Sequence, residues 1–185
     1  VNRLSSGPGS ASYAQPEPRQ GGLVMSKSLK RVHTALEAAG LSSEIRQLNE
    51  GTRTAAAAAA ALGCTEDQIA KSIIFHDAAA DRIVLFVTAG GRRVDQSRAN
   101  SLAGVPLSRA DATTVRRITG FAIGGVSPVG HLTAPRTFFD PNLMAFDVVW
   151  AAAGTPHHVF AAKPADLAEI IHAEATDFSV QSKVM

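Results

Sequence analysis

The chain has one cysteine, Cys64, in 185 residues. A single thiol excludes an internal disulfide and fits a reducing compartment. Cys64 follows Gly63 at the end of an alanine run, so it reads as a small buried hydrophobe rather than a reactive thiol. No apolar run approaches the roughly 20 residues that a membrane-spanning helix needs. A surplus of one charge sign is missing too: 18 Lys and Arg face 16 Asp and Glu, a formal charge of +2 with a pI of about 9.0. That balance tolerates a polyanionic partner without demanding one, so contact with RNA must be argued from particular residues.

Several motifs are absent. The sequence has no P-loop and no dinucleotide fingerprint. It lacks G-x-S-x-G, because Ser127 is followed by Pro128 and Val129. A Ser127–His131–Asp140 triad can be drawn, but spacing alone does not support it. His157 and His158 are adjacent, so on a strand they face opposite sides and make a poor metal pair.

What is present begins with a 45% hydrophobic content, enough for one domain with a real core. Residues 1–24 are rich in Gly, Ser, Pro and Gln and lack the apolar centre of a signal peptide. They are expected to be a disordered leader or a tag, and residues 25–185 a single domain. Ser26 or Ser28 caps a first helix with Leu29, Val32, Leu36 and Ala39 as its apolar stripe and Gly40 as its stop. Ser43–Leu48 reads as a short strand. Thr52 or Thr54 opens a helix of seven successive alanines closed by Gly63. Thr65 and Gln68 have capping-box spacing.

Two strands, Ser72–Phe75 and Arg82–Ala89, flank a hairpin-like turn. Asp95 and Asp111 cap two further helices, stopped by Gly104 and Gly120. Phe121–Ile123 and the segment from Arg136 read as strands. The segments before Gly154 and after Pro156 read as an antiparallel pair, and Pro164 opens a last helix. Strands with irregularly interspersed helices make the fold class α+β, with a mixed, largely antiparallel sheet.

Two features stand out from this frame. Lys71 sits in the apolar stretch IAKSIIF. A lysine there either serves a ligand or packs its stem while its ammonium reaches water. The stretch TGFAIGGVSPVGH, Thr119–His131, holds four glycines and a proline between apolar segments. From the residues alone it is either a glycine-rich turn or a loop whose bare backbone approaches a ligand.

These pieces resemble the YbaK/ProX family of aminoacyl-tRNA deacylases, relatives of the editing domain of bacterial prolyl-tRNA synthetases. LGCTEDQIAKSIIF, RIVLFVTAGGRRVD and the glycine stretch carry the likeness, from about Leu29 to His172. The family's G-x-x-x-P corresponds to Gly124-Gly125-Val126-Ser127-Pro128. The resemblance implies a curved, barrel-like sheet flanked by helices. It implies that Lys71 positions the tRNA terminus and that Gly124 and Gly125 present backbone groups to the ester. Val126, Ser127, Pro128 and His131 would line the substrate pocket.

The implied reaction is trans-editing in the cytoplasm, the hydrolysis of mischarged aminoacyl-tRNA. The expected substrate is tRNA(Pro) carrying alanine, 2-aminobutyrate, cysteine, serine or threonine. No metal or cofactor is expected. The implied partners are the acceptor end of aminoacyl-tRNA and prolyl-tRNA synthetase or an elongation factor, not a membrane or DNA. A domain of the same fold that binds tRNA or a small ligand without turnover is the alternative.

Overall fold

Hydrophobic alternation sets the centre of the molecule. Strand β2, Ile69–Asp77, pairs antiparallel with β3, Arg82–Ala89, over eight register positions from Ala70↔Ala89 to Asp77↔Arg82. A computed structural model describes residues 25–41, 43–49, 52 and 54–182. The expected leader, residues 1–24, lies outside them. The hairpin turn is held by Asp77, whose carboxylate accepts from the amides of Ala79 and Ala80 at 3.2 Å and from Arg82 Nε at 3.0 Å.

The remaining strands in the sheet are β1 (Ile45–Gln47), β5 (Ser108–Arg109), β6 (Arg136–Phe139), β7 (Val149–Ala152), β8 (His158–Ala162) and β9 (Glu174–Ala175). The order is β1-β8-β7-β2-β3-β6-β9, with β5 paired to the far end of β2. The β7–β2, β3–β6 and β6–β9 pairs are parallel and the other pairs in the sheet antiparallel. This is the mixed α+β sheet expected. Among the described residues it stays open, with β1 and β9 at its ends. A separate pair joins β4, Arg92–Val94, to β10, Ser179–Gln181.

Because β3 is central, both of its faces are covered. Leu85, Val87 and Ala89 meet helices α1 (Lys27–Ala38) and α5 (Pro164–Ile170) through Leu29, Val32, Leu36 and Leu167. Val84 and Phe86 point the other way, as strand alternation requires. There Phe86 stacks on Phe138 at 5.1 Å and meets the edges of Phe75 and Phe178 at 5.6 and 4.9 Å. Such pairs contribute about 0.5–1.5 kcal/mol each beyond buried area.

Local signals account for the helices. Ser26 caps α1 by accepting from Leu29 N, and Thr54 caps α2 (Ala55–Leu62) by accepting from Ala57 N. Asp95 and Asp111 cap α3 (Gln96–Ala103) and α4 (Ala112–Thr119), which end at Gly104 and Gly120. Gln68 accepts from Thr65 N at 3.1 Å and fixes the single 3-10 turn Glu66–Gln68.

Four expectations change. Ala39 is the exposed C-cap of α1, and Ala35 takes the inward place instead. Strand β2 extends well beyond Ser72–Phe75 at both ends. Cys64 is only half-buried, with burial pushing its thiol pKa up. Phe121–Ile123 forms no strand: Phe121 plunges into the core and Ala122 O accepts from Gly125 N at 3.1 Å, closing a turn.

Candidate active site at the glycine loop

The loop between α4 and β6 is built onto two supports. One is α1. Arg31 donates from one guanidinium nitrogen to Gly120 O at 2.8 Å and from Nε to Gly130 O at 3.1 Å. Its guanidinium also lies 4.9 Å from the centre of the Phe121 ring. Gly130, with φ +76, passes so close to α1 that a Cβ would stand 3.1 Å from the Arg31 backbone.

The second support is the turn between β7 and β8. A Cβ on Gly125 would lie 2.5 Å from Thr155 C and 2.8 Å from Pro156 N. Only glycine permits that approach. The turn is braced in its own right by a 2.6 Å hydrogen bond between Thr155 Oγ1 and His158 Nδ1.

The residues between these supports are inward-facing. Val126 and Val129 join the hydrophobic cluster under α1, and Ser127 is 0% exposed. Ser127 Oγ accepts from the Val129 amide at 3.3 Å. Ser127 O accepts from His131 Nε2 at 2.7 Å, so Nε2 carries the proton and Nδ1 is a bare acceptor. Burial, with Arg31 nearby, pushes the His131 pKa down from 6.5 to about 4. The ring is neutral at pH 7 and packs edge-on to Phe121 at 5.2 Å. Gly125 spends its amide on the turn to Ala122, whereas the amides of Val126 and Ser127 have no protein acceptor among the described residues.

Buried polar atoms almost always have partners, so those without one mark where a ligand or water belongs. Among the described residues four side-chain atoms are of this kind: Ser72 Oγ, His131 Nδ1, His157 Nδ1 and His158 Nε2. His131 ends the loop, and His157 and His158 follow the turn that the loop abuts. Ser72 alternates with Lys71 and so shares the sheet face of Ala70 and Val87, the face that Val126 and Val129 cover. The exposed Ile123 and Leu132 flank the loop on either side.

Lys71 lies elsewhere. It pairs with Thr88 in register, and its side chain leaves the opposite face of the sheet. Its side chain is half-buried, and its ammonium is not a free surface cation. It donates to Gly90 O at 2.7 Å and Arg92 O at 2.6 Å, clasping the turn between β3 and β4. Burial lowers its pKa, while the nearby Glu66, Asp67 and Asp140 carboxylates raise it. Two of its three donors are thus in use. No hydrogen bond among the described residues joins Lys71 to the loop.

Gly124, Gly125, Val126, Ser127, Pro128 and His131 therefore form one unit, and Lys71 stands apart from it across the sheet. Ser127, His131 and Asp140 form no triad. Asp140 is fully buried and accepts from Thr88 Oγ1 at 2.9 Å and from Asn142 N and Nδ2 at 3.0 and 2.6 Å. Sequence reasoning passed over Arg31 and Thr155, and weighed His158 only as half of a poor metal pair. Arg31 looked like one more cation on an amphipathic helix, and the chain has no local signal for contacts 89 and 99 residues away.

Comparison with known proteins bears on the family and the fold. Residues 49–170 match the family model of the aminoacyl-tRNA editing domain. The Bacillus subtilis (strain 168) protein YwhH, itself uncharacterized, is 28% identical over 142 residues, which are 77% of this chain and 90% of that one. The crystal structure of a candidate trans-editing enzyme for prolyl tRNA synthetase superposes with a TM-score of 0.79. Its identity is 40%, over 84% of this chain and 98% of its own. Hypothetical protein APE2540 gives a TM-score of 0.74 at 31% identity, over 81% and 99%.

Proposed function

The chain belongs to the aminoacyl-tRNA editing-domain family, and we propose that it hydrolyses the ester of a mischarged aminoacyl-tRNA, with tRNA(Pro) carrying a small amino acid as the substrate. The observation that carries this reading is that the amides of two loop residues, Val126 and Ser127, have no protein acceptor among the described residues. Aminoacyl esters are activated, so the site needs no protein nucleophile. It must hold the carbonyl, admit a water and stabilise the oxyanion that forms. Fixed backbone donors in a low-dielectric site do this at little reorganisation cost. Water adds to the carbonyl carbon, the bond to the ribose oxygen breaks, and the departing oxygen takes a proton. The neighbouring ribose hydroxyl can relay it.

Ser127 supplies its carbonyl and amide rather than its hydroxyl, which is buried and engaged with Val129. His131, neutral and donating to Ser127 O, holds the loop and is no general base through Nε2. Gly124 and Pro128 set the loop's shape. Lys71 is assigned to the RNA terminus through its one remaining donor. The surrounding carboxylates offset its charge, so it orients the terminus more than it neutralises a phosphate.

The test is a panel of tRNA(Pro) charged with alanine, 2-aminobutyrate, cysteine, serine, threonine or proline. Release of at least one non-cognate residue well above the spontaneous rate, with prolyl-tRNA spared, is the expected result. Binding of these tRNAs without release would identify a non-catalytic module instead.

A further inference from the structure

Arg31 is the only side chain among the described residues that hydrogen-bonds both ends of the glycine loop. We propose that it is a positioning residue: by spanning Gly120 O and Gly130 O it sets the loop conformation that holds the Val126 and Ser127 amides ready for the ester. This rests on the editing reading for its catalytic consequence, but not for its structural one.

The chemistry favours arginine in this place. The guanidinium fork presents donors in fixed directions, so two carbonyls ten residues apart in sequence are held at a set separation. An ammonium is a point charge with rotating donors and cannot impose that separation. Closing a loop costs entropy, and a clasp at both ends removes most of the freedom of what lies between. The Phe121 ring under the guanidinium fixes its plane, 4.9 Å from the centroid. Phe121 in turn meets His131 edge-on, and His131 holds Ser127 O. A continuous set of contacts thus runs from α1 to the carbonyl at the middle of the loop. Ser28, one turn earlier on α1, adds a longer hydrogen bond to Gly120 O at 3.4 Å.

The same guanidinium is the charged group acting on His131 among the described residues, and it adds to burial in keeping the ring neutral. Arg31 therefore has a spectroscopic signature that a purely structural helix residue would lack.

The test compares the full-length wild type with Arg31→Met and Arg31→Lys. Single-turnover deacylation by Arg31→Met should fall about a hundredfold, the scale of loss from a misplaced catalytic group. Its affinity for the aminoacyl-tRNA should change far less. Amide exchange at Val126, Ser127 and Gly130 should accelerate while β3 amides keep wild-type protection, and the His131 pKa should rise. Arg31→Lys should restore the His131 pKa but only part of the rate.

Wild-type exchange in the loop together with a wild-type rate in Arg31→Met would overturn the proposal. Should that variant fail to fold, Arg31→Lys decides: a full wild-type rate and loop protection would equally overturn it. The exchange and titration measurements need no substrate, so they judge Arg31 even if no tRNA is deacylated.

Discussion

At His131 the depressed pKa links loop order to pH. The unfolded chain takes up a proton on this ring near pH 6.5, whereas the folded chain resists until about pH 4. The stability tied to the neutral ring is complete above pH 6.5. It is lost as pH falls from about 6.5 to about 4, to a limit of roughly 3 kcal/mol. Urea midpoints for wild type and His131→Gln across this range should converge toward acid. Parallel curves would contradict the assignment.

Lys71 gives a second prediction at the same scale. From the sequence its ammonium could be a free surface cation with no role in stability. The two carbonyl contacts mean that Lys71→Met leaves Gly90 O and Arg92 O without a donor, costing about 1–3 kcal/mol. Thermal denaturation of Lys71→Met should show the loss, and an unchanged melting temperature would refute it. Lys71 and the glycines stood out in the sequence, because a lysine among apolar residues and a bare apolar loop are both locally odd. The partners of Lys71 were not, because Gly90 and Arg92 reach it only through strand pairing.

At the scale of elements, the two adjacent loop glycines make opposite demands. Gly124 has open space, since a Cβ there would meet nothing nearer than Pro156 Cγ at 4.0 Å, but its φ of +91 is strained for any other residue. Gly125 has no room against the Thr155 backbone. Gly124→Ala should therefore cost about 1–2 kcal/mol of stability with the loop still seated. Gly125→Ala should push the loop off the β7–β8 turn and lower deacylation about a hundredfold. Denaturation and single-turnover rates on both variants check this, and the reverse ranking of activities would contradict it.

Caps and stops were readable because each is written within a few residues, as at Thr54 and Gly63 or Asp111 and Gly120. Phe121–Ile123 misled because an apolar triplet looks the same whether it pairs in a sheet or dives into a core. The short strands β9 and β10 were missed for a related reason. Two or three residues carry no alternation to read, and their pairing with β6 and β4 is decided by tertiary docking.

Across the whole molecule, the C-terminal segment is fastened to the sheet through Asp140. This buried carboxylate accepts from Thr88, Ala89 and Asn142, and lies 3.7 Å from Arg92, which donates to both Ser179 Oγ and Ser179 O in β10. Burial raises the Asp140 pKa, but the hydrogen bonds from Asn142, Ser179 and Thr88 outweigh it and hold the pKa below 3.8. Its contribution is present above the unfolded value and is lost as pH falls through the lower folded one. Asp140→Ala leaves buried donors unmatched and should destabilise by about 3–5 kcal/mol, read by urea unfolding. A loss under about 1 kcal/mol would contradict the role given to this network.

One sheet face thus seats the glycine loop, and Lys71 on the other clasps the turn between β3 and β4. In the proposed reaction water attacks the ester directly while loop backbone, not a side-chain nucleophile, stabilises the oxyanion. The most direct measurement is rapid-quench deacylation of the preferred aminoacyl-tRNA by wild type and Ser127→Ala, with mass spectrometry of the quenched protein. No burst, no acylated protein and a Ser127→Ala rate within about tenfold of wild type are expected. An acyl adduct on Ser127 together with an inactive Ser127→Ala enzyme would contradict this reaction.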